Sequence, residues 1–132
     1  MPHVSKKLLD LTTQKQITDT FELVLAKMNK DETNAFLFSL LSETERLMLA
    51  KRLAIAVMIR SGVEQDSIVE ALCITKETVN RTDLSLLKRT KGFEIAFKKI
   101  SEDKIMQEIK NRLLKLASYS IKAAGGRVDF PK

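Results

Sequence analysis

Lys76, Glu77, Thr78 and Asn80, together with Gln65, carry the most specific chemistry in this sequence. On a helix that starts near residue 76, Val79 turns inward while Lys76, Glu77, Thr78 and Asn80 turn outward. An asparagine amide sets a donor beside an acceptor and matches the edge of adenine, and a threonine methyl meets the methyl of thymine. Polar and basic side chains also meet phosphate oxygens, which makes Lys51, Arg60 and Gln65 the phosphate-contact candidates. This is recognition chemistry, built from hydrogen bonds and charge. Bond-making chemistry has little to work with. The single histidine, His3, and the single cysteine, Cys73, supply neither a nucleophile-base dyad nor a metal-ligand cluster. One cysteine cannot close an intrachain disulfide, which fits a reducing compartment. An enzyme is not expected.

A length of 132 residues suits one compact domain, with 44% hydrophobic and 30% charged residues as in globular chains. Lys plus Arg number 23 against 17 Asp plus Glu, a net charge of +6 that favours polyanionic partners. The first residues lack the apolar run of a secretory signal. The densest apolar stretch, Leu47 to Ile59, contains Lys51-Arg52 at its centre and is too short to span a bilayer. The expectation is a cytoplasmic protein without membrane or metal partners.

The elements that must position these residues all read as helices. Glycine occurs four times and proline twice, and no segment alternates like a strand. Ile17, Phe21, Val24, Leu25 and Met28 form one apolar stripe, and Asp31 opens a second short helix with Phe36, Leu37, Leu40 and Leu41. Ser42-Glu43-Thr44-Glu45 is a capping box that starts a helix running to Ser61, with Gly62 as its left-handed stop. Eleven of the thirteen residues from Leu47 to Ile59 are apolar, so that helix asks for cover on nearly every side. A small monomer has little to offer, and a homodimer is expected.

Gln65 to Leu72 is a short helix with Ile68 and Leu72 inward, and Cys73-Ile74-Thr75 is a tight connection that buries the thiol and uses Thr75 as the next N-cap. The helix over 76–90 follows. Two short helices joined by three residues, the second opening on polar side chains, form a helix-turn-helix over about 65–90. Basic Lys88, Arg89 and Lys91 precede a turn at Gly92, and a helix continues through Phe93, Phe97 and Ile100. Ser101-Glu102-Asp103 reads as a cap for a last helix that buries Ile105, Ile109, Leu113 and Leu116. The expected organisation is one helical domain over 1–117, with flanks 5–41 and 93–117 for dimerisation, and a flexible tail over 118–132.

Two blocks of this chain resemble the Trp repressor family. The first is Leu41-Ser42-Glu43-Thr44-Glu45-Arg46 with Leu49 and Lys51-Arg52-Leu53, and the second is Ile68 to Leu72 with Thr78-Val79-Asn80-Arg81 and Ser85-Leu86. The match spans about residues 40–87. It implies an all-α, intertwined homodimer with a helix-turn-helix at each end, acting as a repressor-like, sequence-specific transcriptional regulator on double-stranded DNA. It also implies a corepressor pocket for tryptophan or another small molecule, with Arg52 near the ligand carboxylate, Arg81 over the indole, and Ser42 and Ser85 on the walls. No other cofactor is implied. The chain departs from the family pattern at Thr82, where a glycine is usual, and by one residue fewer in the turn around Cys73. Read as residues alone, Arg52 equally suits a phosphate contact or a structural ion pair, Arg81 a phosphate contact, and Ser42 a plain N-cap. A second functional reading is a helical adaptor whose corner binds another protein, which the negative charge of Glu77 favours.

Overall fold

The computed structural model describes residues 8–123, as backbone alone from 118 onward. His3, the first residues of the expected 5–41 flank and positions 124–132 of the expected tail lie outside the described residues. The chain divides into two compact units, Met1–Arg46 and Leu47–Lys132.

The first unit holds helix α1 (Leu11–Ala26), helix α2 (Lys30–Leu40) and the first turn of helix α3 (Glu43–Arg60). Each start has a local cause. Asp10 accepts a 2.6 Å hydrogen bond from the Thr13 N–H at the head of α1. Asn29 and Glu32 form a reciprocal capping box, which opens α2 at Lys30, one residue before the expected Asp31. Phe21 and Phe36 meet with ring centroids 6.4 Å apart, and the Arg46 guanidinium lies 4.8 Å from the centre of the Phe38 ring. The expected stripe on α1 keeps its spacing but is thinly covered: Ile17, Phe21 and Val24 are exposed, and Leu25 and Met28 are half-buried.

The second unit contains the rest of α3, then α4 (Gln65–Leu72), α5 (Lys76–Lys88), α6 (Thr90–Glu102) and α7 (Lys104–Ala123). Ile55, Met58 and Ile68 are fully buried, and Val63, Val79 and Ala117 complete the core. Helix α7 packs on α4 and α6, and α5 packs on the same two helices. Helix α3 ends as its sequence dictates. Gly62 takes φ +82°, and the N–H groups of Gly62 and Val63 bond back to Ile59 O and Met58 O at 3.0 Å.

Burial on α3 is confined to Ile55–Met58 in the single chain, and Leu47, Met48, Leu49 and Leu53 stay exposed, the side for which cover from outside the chain is expected. Other expectations are corrected. The break after α5 falls at Arg89 rather than Gly92, and α6 opens directly at Thr90, whose hydroxyl donates to Leu86 O at 2.9 Å and so satisfies a carbonyl at the end of α5. Gly92 sits inside the first turn of α6 at an ordinary helical cost. Asp103, not Ser101, begins α7, with its carboxylate accepting from the N–H groups of Ile105 and Met106 at 2.8 and 3.3 Å. Finally, Ile105, Ile109 and Leu116 are exposed, and the inward face of α7 is Leu113, Leu114 and Ala117. The small Ala117 side chain is fully buried in the core. The helical backbone also runs through Ala123, past the expected end at 117.

Candidate nucleic-acid interface

Helices α4 and α5 form the expected helix-turn-helix, with α4 spanning Gln65–Leu72 and α5 opening at Lys76. Cys73 ends α4 with φ 52° and ψ 53°, a left-handed position filled here by a side chain, and Ile74 N–H bonds back to Val69 O at 3.1 Å. The Cys73 thiol is exposed, contrary to the expected burial, because the left-handed turn carries it out to solvent. Thr75 caps α5 by accepting the Thr78 N–H at 3.2 Å. Val79 faces the core as expected, and Thr82 beside it is only 6% exposed, its hydroxyl donating to Thr78 O at 3.1 Å.

Three of the candidate residues meet where the start of α4 crosses α5. The Gln65 side-chain amide donates to Asn80 Oδ1, and the Lys76 ammonium lies 3.0 Å from the Asp66 carboxylate. Lys76 and Asn80 are one helical turn apart and share a face of α5. Glu77 and Arg81 form the neighbouring pair, with Arg81 Nη2 donating to Glu77 Oε1 at 2.7 Å, and Thr78 is half-buried with its hydroxyl 3.0 Å from that of Thr75. Arg60 stands apart from this cluster. Its guanidinium forks onto both oxygens of Glu94 on α6, the second at 3.0 Å, and lies 5.1 Å from the centre of the Phe97 ring. Lys51 is half-buried on α3.

The residues assigned to a corepressor pocket are positioned individually as follows. In the first unit, Ser42 and Glu45 bond reciprocally at 2.9 and 3.1 Å, and the backbone bond from Ser42 holds the Glu45 carboxyl below its ordinary pKa. In the second unit, Arg52 is exposed on α3, Arg81 is held by Glu77, and Ser85 is half-buried on α5. None of the four lines the shallow cavity of about 50 Å³ between α3, α6 and α7, which has room for a few waters.

One basic cluster carried no site assignment in the sequence. Lys88, Arg89 and Lys91 are all exposed at the junction of α5 and α6, and none makes an ion pair among the described residues. Three basic residues in four positions were visible as a charge run. Their standing as phosphate-contact candidates follows from the free charges at the end of α5, whereas Lys76, Arg81 and Arg60 already have carboxylate partners. No helix among the described residues is long and apolar enough to cross a membrane.

The family model described as Trp repressor protein matches residues 7–101, a span that takes in the helix-turn-helix and stops short of α7. No curated protein and no solved structure matches the chain. Members of the matched family are helical regulators that bind DNA, and the all-helical architecture with α4 and α5 at its centre agrees with that assignment. By the extent of this match, covering most of its length, the chain belongs to the Trp repressor family.

Proposed function

We propose that the chain is a homodimeric, sequence-specific DNA-binding regulator, repressor-like in action, that docks α5 in the major groove of a two-fold symmetric site. The observation that carries this reading is the α4–α5 corner, whose outward side clusters Gln65, Lys76 and Asn80 on one face. Lys51, Lys88, Arg89 and Lys91 would supply the salt-dependent phosphate contacts, and Asn80 and Thr78 the base-edge contacts. The exposed Leu47, Met48, Leu49 and Leu53 on α3 support a second copy as the missing cover. The regulator would work in the cytoplasm, as its exposed free thiol fits a reducing compartment.

Titration with specific and random duplexes at two salt concentrations tests the reading. Binding should weaken steeply as salt rises, because each phosphate contact releases counterions. Asn80→Ala should relax base preference, and Lys51→Ala should weaken binding to all sequences alike. Tryptophan should bind weakly or not at all, since Thr82 already fills the inward position where family members carry glycine. Micromolar tryptophan binding that Arg81→Ala abolishes would restore a corepressor role for Ser42, Arg52, Arg81 and Ser85.

The adaptor reading keeps one specific observation in its favour. Helices α4 and α5 together hold four acidic residues, Asp66, Glu70, Glu77 and Asp83, against three basic ones, Lys76, Arg81 and Lys88. Absence of duplex binding at low salt would favour that reading.

A further inference from the structure

The cations of this chain are concentrated away from its helix-turn-helix. From Glu64 to Asp83, across α4 and most of α5, five acidic residues stand against two basic ones, a net −3. Both cations, Lys76 and Arg81, already face carboxylates, while Glu64, Glu70 and Asp83 are exposed without an ion pair among the described residues. From Lys88 to Lys115, through α6 and most of α7, nine basic residues stand against four acidic ones, a net +5. On α6, Phe93, Phe97 and Ile100 are half-buried, and Lys98 and Lys99 are exposed. On α7, Leu113, Leu114 and Ala117 turn inward, and Lys104, Arg112 and Lys115, spaced eight and three apart, share the exposed side. Of these five cations only Lys98 has a carboxylate near it among the described residues, Glu102 at 3.9 Å. Helix α7 lies beyond the residues that the family model matches.

A corner of net −3 is repelled by a polyanionic backbone, so association needs cations placed where they meet phosphates. Screening confines charge effects to about 8 Å at physiological ionic strength. The cations of α6 and α7 therefore offset the acidic corner only by lying against the duplex themselves. We infer that the outward faces of α6 and α7 form a second DNA-contact surface, whose Lys98, Lys99, Lys104, Arg112 and Lys115 hold backbone phosphates flanking the bases that α5 reads. This rests on the DNA-binding reading above and extends its phosphate contacts past the junction of α5 and α6. Helix α5 packs on α6 and α6 on α7, so the surface continues from Lys88, Arg89 and Lys91. Contacts of this kind carry affinity and leave base choice to α5.

Fluorescence anisotropy with the full chain tests the inference on two duplexes. One ends at the edges of a site selected from a random pool, and the other extends it by about one helical turn of unrelated sequence on each side. The parent should bind the extended duplex about tenfold more tightly at low salt. A variant combining Lys98→Gln, Lys99→Gln, Arg112→Gln and Lys115→Gln should bind both duplexes alike, and should weaken on specific and random sequence to the same degree. Each phosphate contact contributes about 0.9 to the slope of log affinity against log salt, so the variant should lower that slope by about 2 or more. Thermal unfolding close to that of the parent verifies that these exposed substitutions leave the fold intact, and the comparison of duplex lengths needs no variant at all. If extension leaves the parent's affinity unchanged, or charge removal leaves the slope unchanged, the inference fails while the DNA-binding reading stands. If the parent binds no duplex, the reading and the inference fail together.

Discussion

Cys73→Gly alters one exposed side chain in the turn between α4 and α5, at φ 52° and ψ 53°. The left-handed conformation costs an L residue about 1–2 kcal/mol, and glycine is free of that cost. Glycine also enlarges the unfolded ensemble, which offsets about 0.4–1 kcal/mol of the relief. Little packing is lost, because the thiol's hydrogen-bond contact is a weak 3.9 Å approach to Glu70 O. The difference between the two ranges is a gain of about 0–1.6 kcal/mol, with about 0.8 kcal/mol at its centre. For a chain of this size that raises Tm by roughly 2–6 °C. The assay is thermal unfolding followed by circular dichroism at matched protein concentration, since a dimer's Tm depends on concentration. Cys73→Val should shift Tm the other way, because a β-branched side chain tolerates a left-handed backbone poorly. A glycine variant that melts below the parent, or a valine variant that melts above it, refutes the argument.

The exposed apolar side of α3 leads to an expected dimer in sedimentation velocity at micromolar concentration, and Leu49→Glu with Leu53→Glu should yield monomer; a well-folded parental monomer contradicts this. Arg60→Ala removes the fork onto Glu94 and the contact with Phe97, both partly exposed, and should lower stability by about 1 kcal/mol in urea unfolding while leaving the salt slope of DNA binding unchanged. A reduced slope would return Arg60 to the phosphate contacts. Glu45 and Asp10 have carboxyls held below their ordinary range, Glu45 by the backbone and side chain of Ser42 and Asp10 by hydrogen bonds from Thr13. Because their folded-state pKa values are depressed, their contribution is present above the ordinary carboxylate range and is lost as pH falls through the lowered folded values. Carboxyl NMR titration of Ser42→Ala should return Glu45 toward its ordinary value, and an unchanged midpoint would disprove the capping-box cause.

Short-range contacts made the local grammar of the chain legible from its residues. The capping box at Ser42, the stop at Gly62, the Thr75 cap and the span of α4 are all decided by groups within five residues of one another, so composition and spacing were enough. The inward placement of Ile68 and Val79 followed from helical periodicity for the same reason. Tertiary structure decided which of several apolar faces each helix buries and which polar side chains are already taken. Helix α7 has apolar residues on more than one face, and only its packing on α4 and α6 selects Leu113, Leu114 and Ala117 over Ile105 and Ile109. Arg60 and Glu94 are 34 positions apart, and Gln65 and Asn80 are 15 apart. No local propensity relates residues at such separations. Their meeting depends on how α3 and α6, and α4 and α5, are rotated and set against each other. That rotation is fixed by close packing around Ile55, Met58 and Ile68, where side-chain volumes from distant segments must interlock at once.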